Sequence, residues 1–184
     1  IGVILNHLVC GDALDAVTIA QIGQYAENVF FGKPCGLMDQ MASSVGGAVA
    51  IDFGDPDKPL IRPMKVDLNA QGYALCIIDS GADHADLTAE YAAIPQEMKA
   101  VAAYFGCEVL REVDESRIWA DMPGLRKAVG DRAVLRALHF FADDQRVALE
   151  ADALERGDFD AFLKVVQQSG ESSWMYLQNI APTG

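Results

Sequence analysis

The fold of this chain is decided by residues 26–40, whose sequence is AENVFFGKPCGLMDQ. Helix-forming residues run to about Phe30, and Gly32-Lys33-Pro34 then ends that helix. Gly36 opens a second, shorter helix, which places Asp39 in its first turn. A carboxylate in a first turn is favoured by the unpaired backbone N–H groups and by the helix dipole. The residues alone leave two interpretations open for Asp39, a helix-capping acid and a catalytic carboxylate.

Helices precede this stretch and strands follow it. We expect a buried helix over residues 1–8 and a second helix capped by Asp12 or Asp15. Residues 36–43 are predicted to form the short helix that carries Asp39. Apolar or alternating segments then predict an antiparallel patch of sheet, with strands at 48–53, 61–68 and 73–80.

The second half of the chain has the apolar spacing of helices. We expect a helix over 85–105, in which Pro95 either causes a kink or marks the first turn, and a short strand over 108–113. Gly157 is a predicted C-cap. The remaining predicted helices are 115–119, 124–129, 131–156 and 158–178. The change from sheet to helix near residue 83 predicts an α+β protein with two parts, 1–82 and 83–184.

Composition excludes several classes of function. The chain has 184 residues, half of them hydrophobic (51%), and a net charge of −13. An acidic surface of this kind disfavours nucleic acid and anionic lipid as partners. No apolar run reaches the roughly 20 residues of a membrane-spanning helix. The cysteines form no CxxC pair, which predicts free, mostly buried thiols in a reducing cytoplasm; they are Cys10, Cys35, Cys76 and Cys107.

The spacing from Glu27-Asn28 through Gly32 to Cys35-Gly36-Leu37-Met38-Asp39-Gln40 resembles the galactokinase segment of the GHMP small-molecule kinase superfamily. The resemblance continues through nearly the whole chain in the segments Ile78-Asp79-Ser80-Gly81, Glu90-Tyr91, 134–139 with Arg146, and 154–158 with Phe162. Two departures mark a divergent subgroup. Tyr91 is followed by Ala92-Ala93-Ile94-Pro95 rather than by Asn-x-Arg-Arg, and Ser169-Gly170 stands in place of Ser-His.

The resemblance implies a fold and a reaction. The chain is expected to be part of the N-terminal sheet and helix domain of a GHMP kinase, followed by a largely helical part of the C-terminal domain. The implied activity is ATP-dependent phosphorylation of the C1 hydroxyl of α-D-galactose, with Mg²⁺ carried by the nucleotide. Asp39 is implied as the base or as the residue that orients the hydroxyl. Gly36 and Tyr91 are implied to contact the sugar, and Glu27 and Asn28 to brace the loop that bears Asp39.

Several alternatives stay open at this point. Gly36 is equally well explained as a turn glycine, and Tyr91 as a helix residue with its ring in the core. The sugar can be a relative such as N-acetylgalactosamine, or the protein a galactose-sensing relative without catalysis. The phosphate loop of the family is expected outside this chain, so no nucleotide-binding residue is assigned. We therefore expect a middle piece of a longer chain, inactive by itself, and the sequence predicts no oligomeric state.

Other conspicuous residues have simpler explanations. Asp79, Asp83, His84 and Asp86 form a polar loop after a strand rather than a metal cluster. His139 lies on an apolar helix and is expected to be a packing residue with a satisfied ring. Trp119 and Trp174 are expected in the core or at an interface.

Overall fold

The computed structural model of the chain describes residues 1–32, 35–55, 57–79, 81 and 88–181. The chain divides into two compact units, Ile1–Val66 and Asp67–Gly184. The predicted boundary between residues 82 and 83 concerns the domains of a whole kinase and stays a prediction, since residues 82–87 lie outside the described part.

The first unit begins with two helices and a wider π-helical continuation. They are α1 at Gly2–Cys10, α2 at Ala16–Tyr25 and the first π-helix at Ala26–Phe31. Asp15, one of the two predicted caps, accepts a hydrogen bond from the backbone N–H of Thr18 at 2.7 Å. The prediction that residues 1–8 are buried is wrong. The described residues of this unit do not cover the apolar face of α1, and Leu8 is 72% exposed.

Helix α3 and a hairpin complete the first unit. Helix α3 spans Met38–Val45, two residues later than predicted. Strand β1, Ala48–Asp52, pairs antiparallel with β2, Leu60–Met64, in the register Ala48↔Met64 to Asp52↔Leu60. Strand β2 therefore ends before residue 68, the predicted end. Both strands are edges of a two-stranded sheet, which is where a proline such as Pro63 is tolerated.

The predicted third strand is wrong for residues 73–79, which have neither helix nor strand. Three of their apolar side chains, Leu75, Ile77 and Ile78, are 82%, 94% and 88% exposed. A strand forms only when its N–H and C=O groups pair with a neighbouring strand. No described residue supplies that partner, so the apolar pattern alone does not produce sheet. Ser80 lies outside the described residues.

Helices build the second unit. They are α4 at Thr88–Tyr104, α5 at Glu115–Ala120, α6 at Met122–Val129, α7 at Asp131–Glu155, α8 at Phe159–Ser172 and a second π-helix at Ser173–Leu177. Pro95 lies inside α4. Gly157 adopts φ 71° and donates its N–H to Leu154 at 3.1 Å, which confirms the predicted C-cap. The core contains Val101, Ala102, Leu110, Val113, Ile118, Leu125, Ala133, Val134 and Ala137.

One further prediction for the second unit is wrong, and another is narrowed to one of its alternatives. Residues 108–113 form a 3₁₀ turn, Leu110–Glu112, instead of a strand. Leu110 and Val113 are three residues apart, the period of a 3₁₀ turn, and both are 4% exposed. Trp119 and Trp174 are 59% and 64% exposed, so neither lies in the core, and their place at an interface stays a prediction. The aliphatic residues at helix–helix contacts fill it instead.

The predicted α+β class is confirmed, with less sheet and more helix than expected. The four cysteines are free, as predicted. They are not buried, because Cys10 and Cys76 are exposed and Cys35 and Cys107 are half-buried. Among the described helices, none is long and apolar enough to cross a membrane.

Candidate active site

Asp39 lies in the first turn of α3, as predicted. Its side chain is exposed, and it makes no hydrogen bond or ion pair with the described residues. Leu37, the N-cap residue of α3, also provides no side-chain capping bond. A capping acid normally accepts a hydrogen bond from a first-turn N–H group. Among the described residues, no first-turn N–H group therefore uses the carboxylate of Asp39 as a cap.

Gly36 lies three residues before Asp39 and is exposed. It is not among the glycines with positive φ, so its backbone conformation is open to other residues. No heavy atom of the described residues lies within 4 Å of the place where a Cβ would stand. The turn conformation therefore does not require glycine here.

The loop before α3 is anchored at Cys35 by side-chain amides of the preceding helices. Oδ1 of Asn28 accepts a hydrogen bond from the backbone N–H of Cys35 at 2.8 Å. The amide nitrogens of Asn28 and Gln24 both donate to the carbonyl oxygen of Cys35, at 3.4 and 3.2 Å. We call Gln24, Asn28 and Cys35 the amide clamp.

A second anchor holds the other side of Asp39. Nε2 of Gln40 donates to Oε1 of Glu27 at 3.0 Å and lies 3.3 Å from Sγ of Cys35. Glu27 and Asn28 thus contact the segment that bears Asp39, as expected. Gln24 and Gln40 had no predicted role. The position of Gln24 one turn before Asn28 is the signal in the sequence that points to it.

A cleft of about 550 Å³ opens beside the clamp, within the first unit. It is lined by Gln21, Gln24, Tyr25, Asn28, Val29, Leu37, Phe53 and Asp57. Gly36 and Asp39 are not among its lining residues. Leu37, which lies between them in the chain, does line it.

The third predicted sugar contact belongs to the other unit. Tyr91 lies in α4 and is 57% exposed, which does not fit the alternative in which its ring packs in the core. No group of three or more His, Cys, Asp or Glu residues within the described ranges is placed to hold a metal ion. Asp83, His84 and Asp86 lie outside those ranges.

The first 47 residues match the family described as GHMP kinases N terminal domain. The galactokinase of Actinobacillus pleuropneumoniae is 36% identical over 151 residues, which are 82% of this chain and 38% of that protein. The chain is a galactokinase homologue. Human galactokinase is 33% identical over 166 residues, 89% of this chain and 40% of its own length.

The homologue spans about two fifths of the length of these curated relatives. Its fold is also that of a solved galactokinase, the Lactococcus lactis enzyme crystallised with galactose. The two structures superimpose with a TM-score of 0.64 at 20% sequence identity. The superposition covers 95% of this chain and 45% of the Lactococcus lactis chain. Gly36 and Asp39 lie within the segment that matches the GHMP family, whereas Tyr91 lies beyond it.

Proposed function

We propose that the complete protein carrying this chain is an ATP-dependent sugar kinase that phosphorylates the C1 hydroxyl of α-D-galactose to give galactose 1-phosphate. The proposal rests on the 36% identity to a galactokinase, whose name states its substrate. It is supported by the exposed carboxylate of Asp39, which has no partner among the described residues and lies on an anchored segment. The chain by itself, at about two fifths of its relatives' length, is expected to be inactive.

In phosphoryl transfer the protein contributes mainly by positioning the reactants and by stabilising charge in the transition state. The C1 oxygen of the sugar forms a bond to the γ-phosphorus while the bond from that phosphorus to the ADP oxygen breaks. Asp39 accepts the hydroxyl proton as the new bond develops, or orients the hydroxyl and balances charge. The backbone N–H of Gly36 donates to the sugar, and the absent side chain permits close approach. Tyr91 donates to or accepts from a sugar hydroxyl.

The proposed reaction uses ATP as the phosphoryl donor and Mg²⁺ as its cofactor. The ion would arrive bound to the nucleotide, and no residue of this chain is assigned to it, because the described residues offer no cluster of ligands. We further propose a cytoplasmic location, on the four free cysteines. The net charge of −13 supports the proposal that neither nucleic acid nor a membrane is a partner.

Two neighbouring functions compete with this one. The departure after Tyr91 favours a test of related sugars such as N-acetylgalactosamine. The second competing function is that of a galactose sensor without catalysis. The presence of Asp39, the proposed catalytic carboxylate, argues against this function.

The deciding experiment uses the complete protein with ATP, Mg²⁺ and a panel of galactose, N-acetylgalactosamine, glucose and mannose. Phosphorus NMR identifies the phosphorylated hydroxyl. We expect galactose 1-phosphate and the highest kcat/KM for galactose. Higher kcat/KM for another sugar would defeat the galactose assignment, and sugar binding without turnover would favour the sensor.

A further inference from the structure

Asn28 grips the two backbone polar groups of a single residue. Its Oδ1 accepts from the N–H of Cys35 at 2.8 Å, and its Nδ2 donates to the carbonyl oxygen of Cys35 at 3.4 Å. A pair of bonds of opposite polarity fixes the orientation of the backbone as well as its position. Gln24 adds a second donor to the same carbonyl, at 3.2 Å.

The clamp lies next to the residues to which the proposed function assigns chemistry. Gly36 follows Cys35 directly, and Asp39 is one helical turn further on. The segment is held again at Gln40 by its bond to Glu27, at 3.0 Å. Glu27 and Asn28 both belong to the first π-helix, Ala26–Phe31. Single π-helical turns recur at functional sites, where the wider turn redirects side chains.

We propose that Asn28 is a positioning residue for the sugar-binding segment. It sets the direction of the Gly36 N–H group and the place of the Asp39 carboxylate by fixing Cys35 between them and the first π-helix. The inference rests on the proposed function for its effect on turnover. It makes a separate claim about the geometry of Cys35, which is testable whatever the protein's activity is.

The chain provides a matched control in Gln21. Gln21 lies in α2, the helix that the first π-helix continues. Its Nε2 donates a hydrogen bond to the backbone carbonyl oxygen of Asp57 at 3.2 Å. Gln21→Ala therefore removes a hydrogen bond of the same kind that does not touch residues 35–40. Asn28→Ala removes both bonds to Cys35, whereas Asn28→Asp keeps the acceptor for the Cys35 N–H group and loses the donor.

The first measurement is amide hydrogen exchange at Cys35 in the complete protein. We expect exchange at least tenfold faster in Asn28→Ala than in the wild type. The rates in Asn28→Asp and Gln21→Ala should stay within about threefold of the wild-type rate. Unchanged exchange in Asn28→Ala overturns the proposal, even if the protein proves to be a galactokinase.

The second measurement separates positioning from folding. A displacement of about 1 Å at a reacting group lowers rates by about 10²-fold. We expect kcat to fall 10- to 100-fold in Asn28→Ala, with the KM for ATP within twofold and melting close to that of Gln21→Ala. Asn28→Asp should recover part of the lost kcat.

A kcat loss in Asn28→Ala that Gln21→Ala shares, or that follows the folded fraction, overturns the proposal. If Asn28→Ala does not fold, the Asn28→Asp variant tests the proposal instead. Slow amide exchange at Cys35 together with a reduced kcat in Asn28→Asp then supports a positioning role, and a wild-type kcat contradicts it. Failure of the proposed function itself appears separately, as a wild-type protein that does not phosphorylate any sugar.

Discussion

Arg136 and Glu97 form an ion pair between α7 and α4, with Nη1 of Arg136 2.9 Å from Oε2 of Glu97. The guanidinium is almost fully enclosed, at 1% exposure, and Glu97 is 22% exposed. Nε of Arg136 also donates to the carbonyl oxygen of Leu177 at 3.0 Å, at the end of the second π-helix. One buried cation therefore connects three helical elements of the second unit.

Removing the charge of Glu97 should destabilise this unit strongly. Glu97→Gln leaves Arg136 charged and enclosed, and breaking a buried pair from one side costs about 3 kcal/mol. Arg132 is the control, because its Nε contacts the same carboxylate at 3.0 Å but its side chain is 38% exposed. Arg132→Gln should cost less than about 1 kcal/mol. Urea unfolding of both variants checks this, and equal losses would contradict it.

His139 joins α7 to α8 through a buried polar contact, as its expected packing role implied. Its Nδ1 lies 2.9 Å from Oγ of Ser172, and its Nε2 lies 3.4 Å from Oδ2 of Asp143. Asp143 also accepts from Ser169 at 3.0 Å and pairs with Arg146 at 2.9 Å. Burial lowers the pKa of His139 below its ordinary value of 6.5; nearby Arg146 adds to this, and Asp143 opposes it.

This lowered pKa predicts a pH dependence of stability. The unfolded chain takes up a proton at His139 near pH 6.5, whereas the folded protein does so only at lower pH. The contribution is therefore complete above pH 6.5 and is lost as the pH falls towards the pKa of the folded state. His139→Gln should remove this part of the loss. The free energy of unfolding of both proteins, measured between pH 5 and pH 8, tests it.

Glu150 also titrates with folding, so the effect of His139 has to be measured as a difference between the wild type and His139→Gln. Burial raises the pKa of Glu150 above 4.5, so its contribution is lost as the pH rises through that raised value, the opposite direction. Taking the difference between wild type and His139→Gln removes this background. A difference that is constant from pH 5 to pH 8 would show that His139 does not titrate with folding.

The proposed function makes a direct prediction for Asp39. Asp39→Asn should lower stability by less than about 1 kcal/mol, because the carboxylate has no partner among the described residues and only the helix dipole favours its charge. The kcat for the sugar should fall by about 10²-fold or more, since the proton acceptor and its charge are lost. Asp160 is the control, an exposed acid in the first turn of α8. Asp160→Asn should keep wild-type kcat in the same coupled ADP-release assay.

Gly36 and Gly32 offer a second matched pair. In Gly36→Ala the added Cβ would have no heavy atom of the described residues within 4 Å, and the backbone φ of this residue is not positive. Stability should therefore change by less than about 0.5 kcal/mol. The added Cβ should obstruct the sugar and raise its KM about tenfold or more. Gly32 ends the first π-helix with φ 73°, and Gly32→Ala should cost about 1 kcal/mol. An unaltered KM in Gly36→Ala would remove Gly36 from the sugar site.

Local signals explain which parts of this molecule were predictable from sequence. The cap at Asp15, the C-cap at Gly157 and the place of Asp39 depend on a few adjacent residues, and all are found. The strand at 73–79 was predicted wrongly because a strand also needs a partner, which a run of apolar residues does not reveal. The amide clamp joins residues seven to eleven positions apart, and which side chain reaches Cys35 depends on the π-helical turn.

Gly170 is the residue at which this chain departs from the family's Ser-His pattern, and the departure predicts a stabilising substitution. It lies exposed inside α8, without positive φ, and no heavy atom of the described residues lies within 4 Å of its Cβ position. Glycine in a helix interior is about 0.8 kcal/mol less favourable than alanine, so Gly170→Ala should stabilise by nearly that amount. Gly157→Ala is the opposite case, because φ 71° is strained for alanine, and it should destabilise by about 1 kcal/mol. Thermal unfolding of the two variants under one buffer condition tests the pair, and a lower melting temperature for Gly170→Ala would mean that its surroundings in the complete protein have no room for a methyl group.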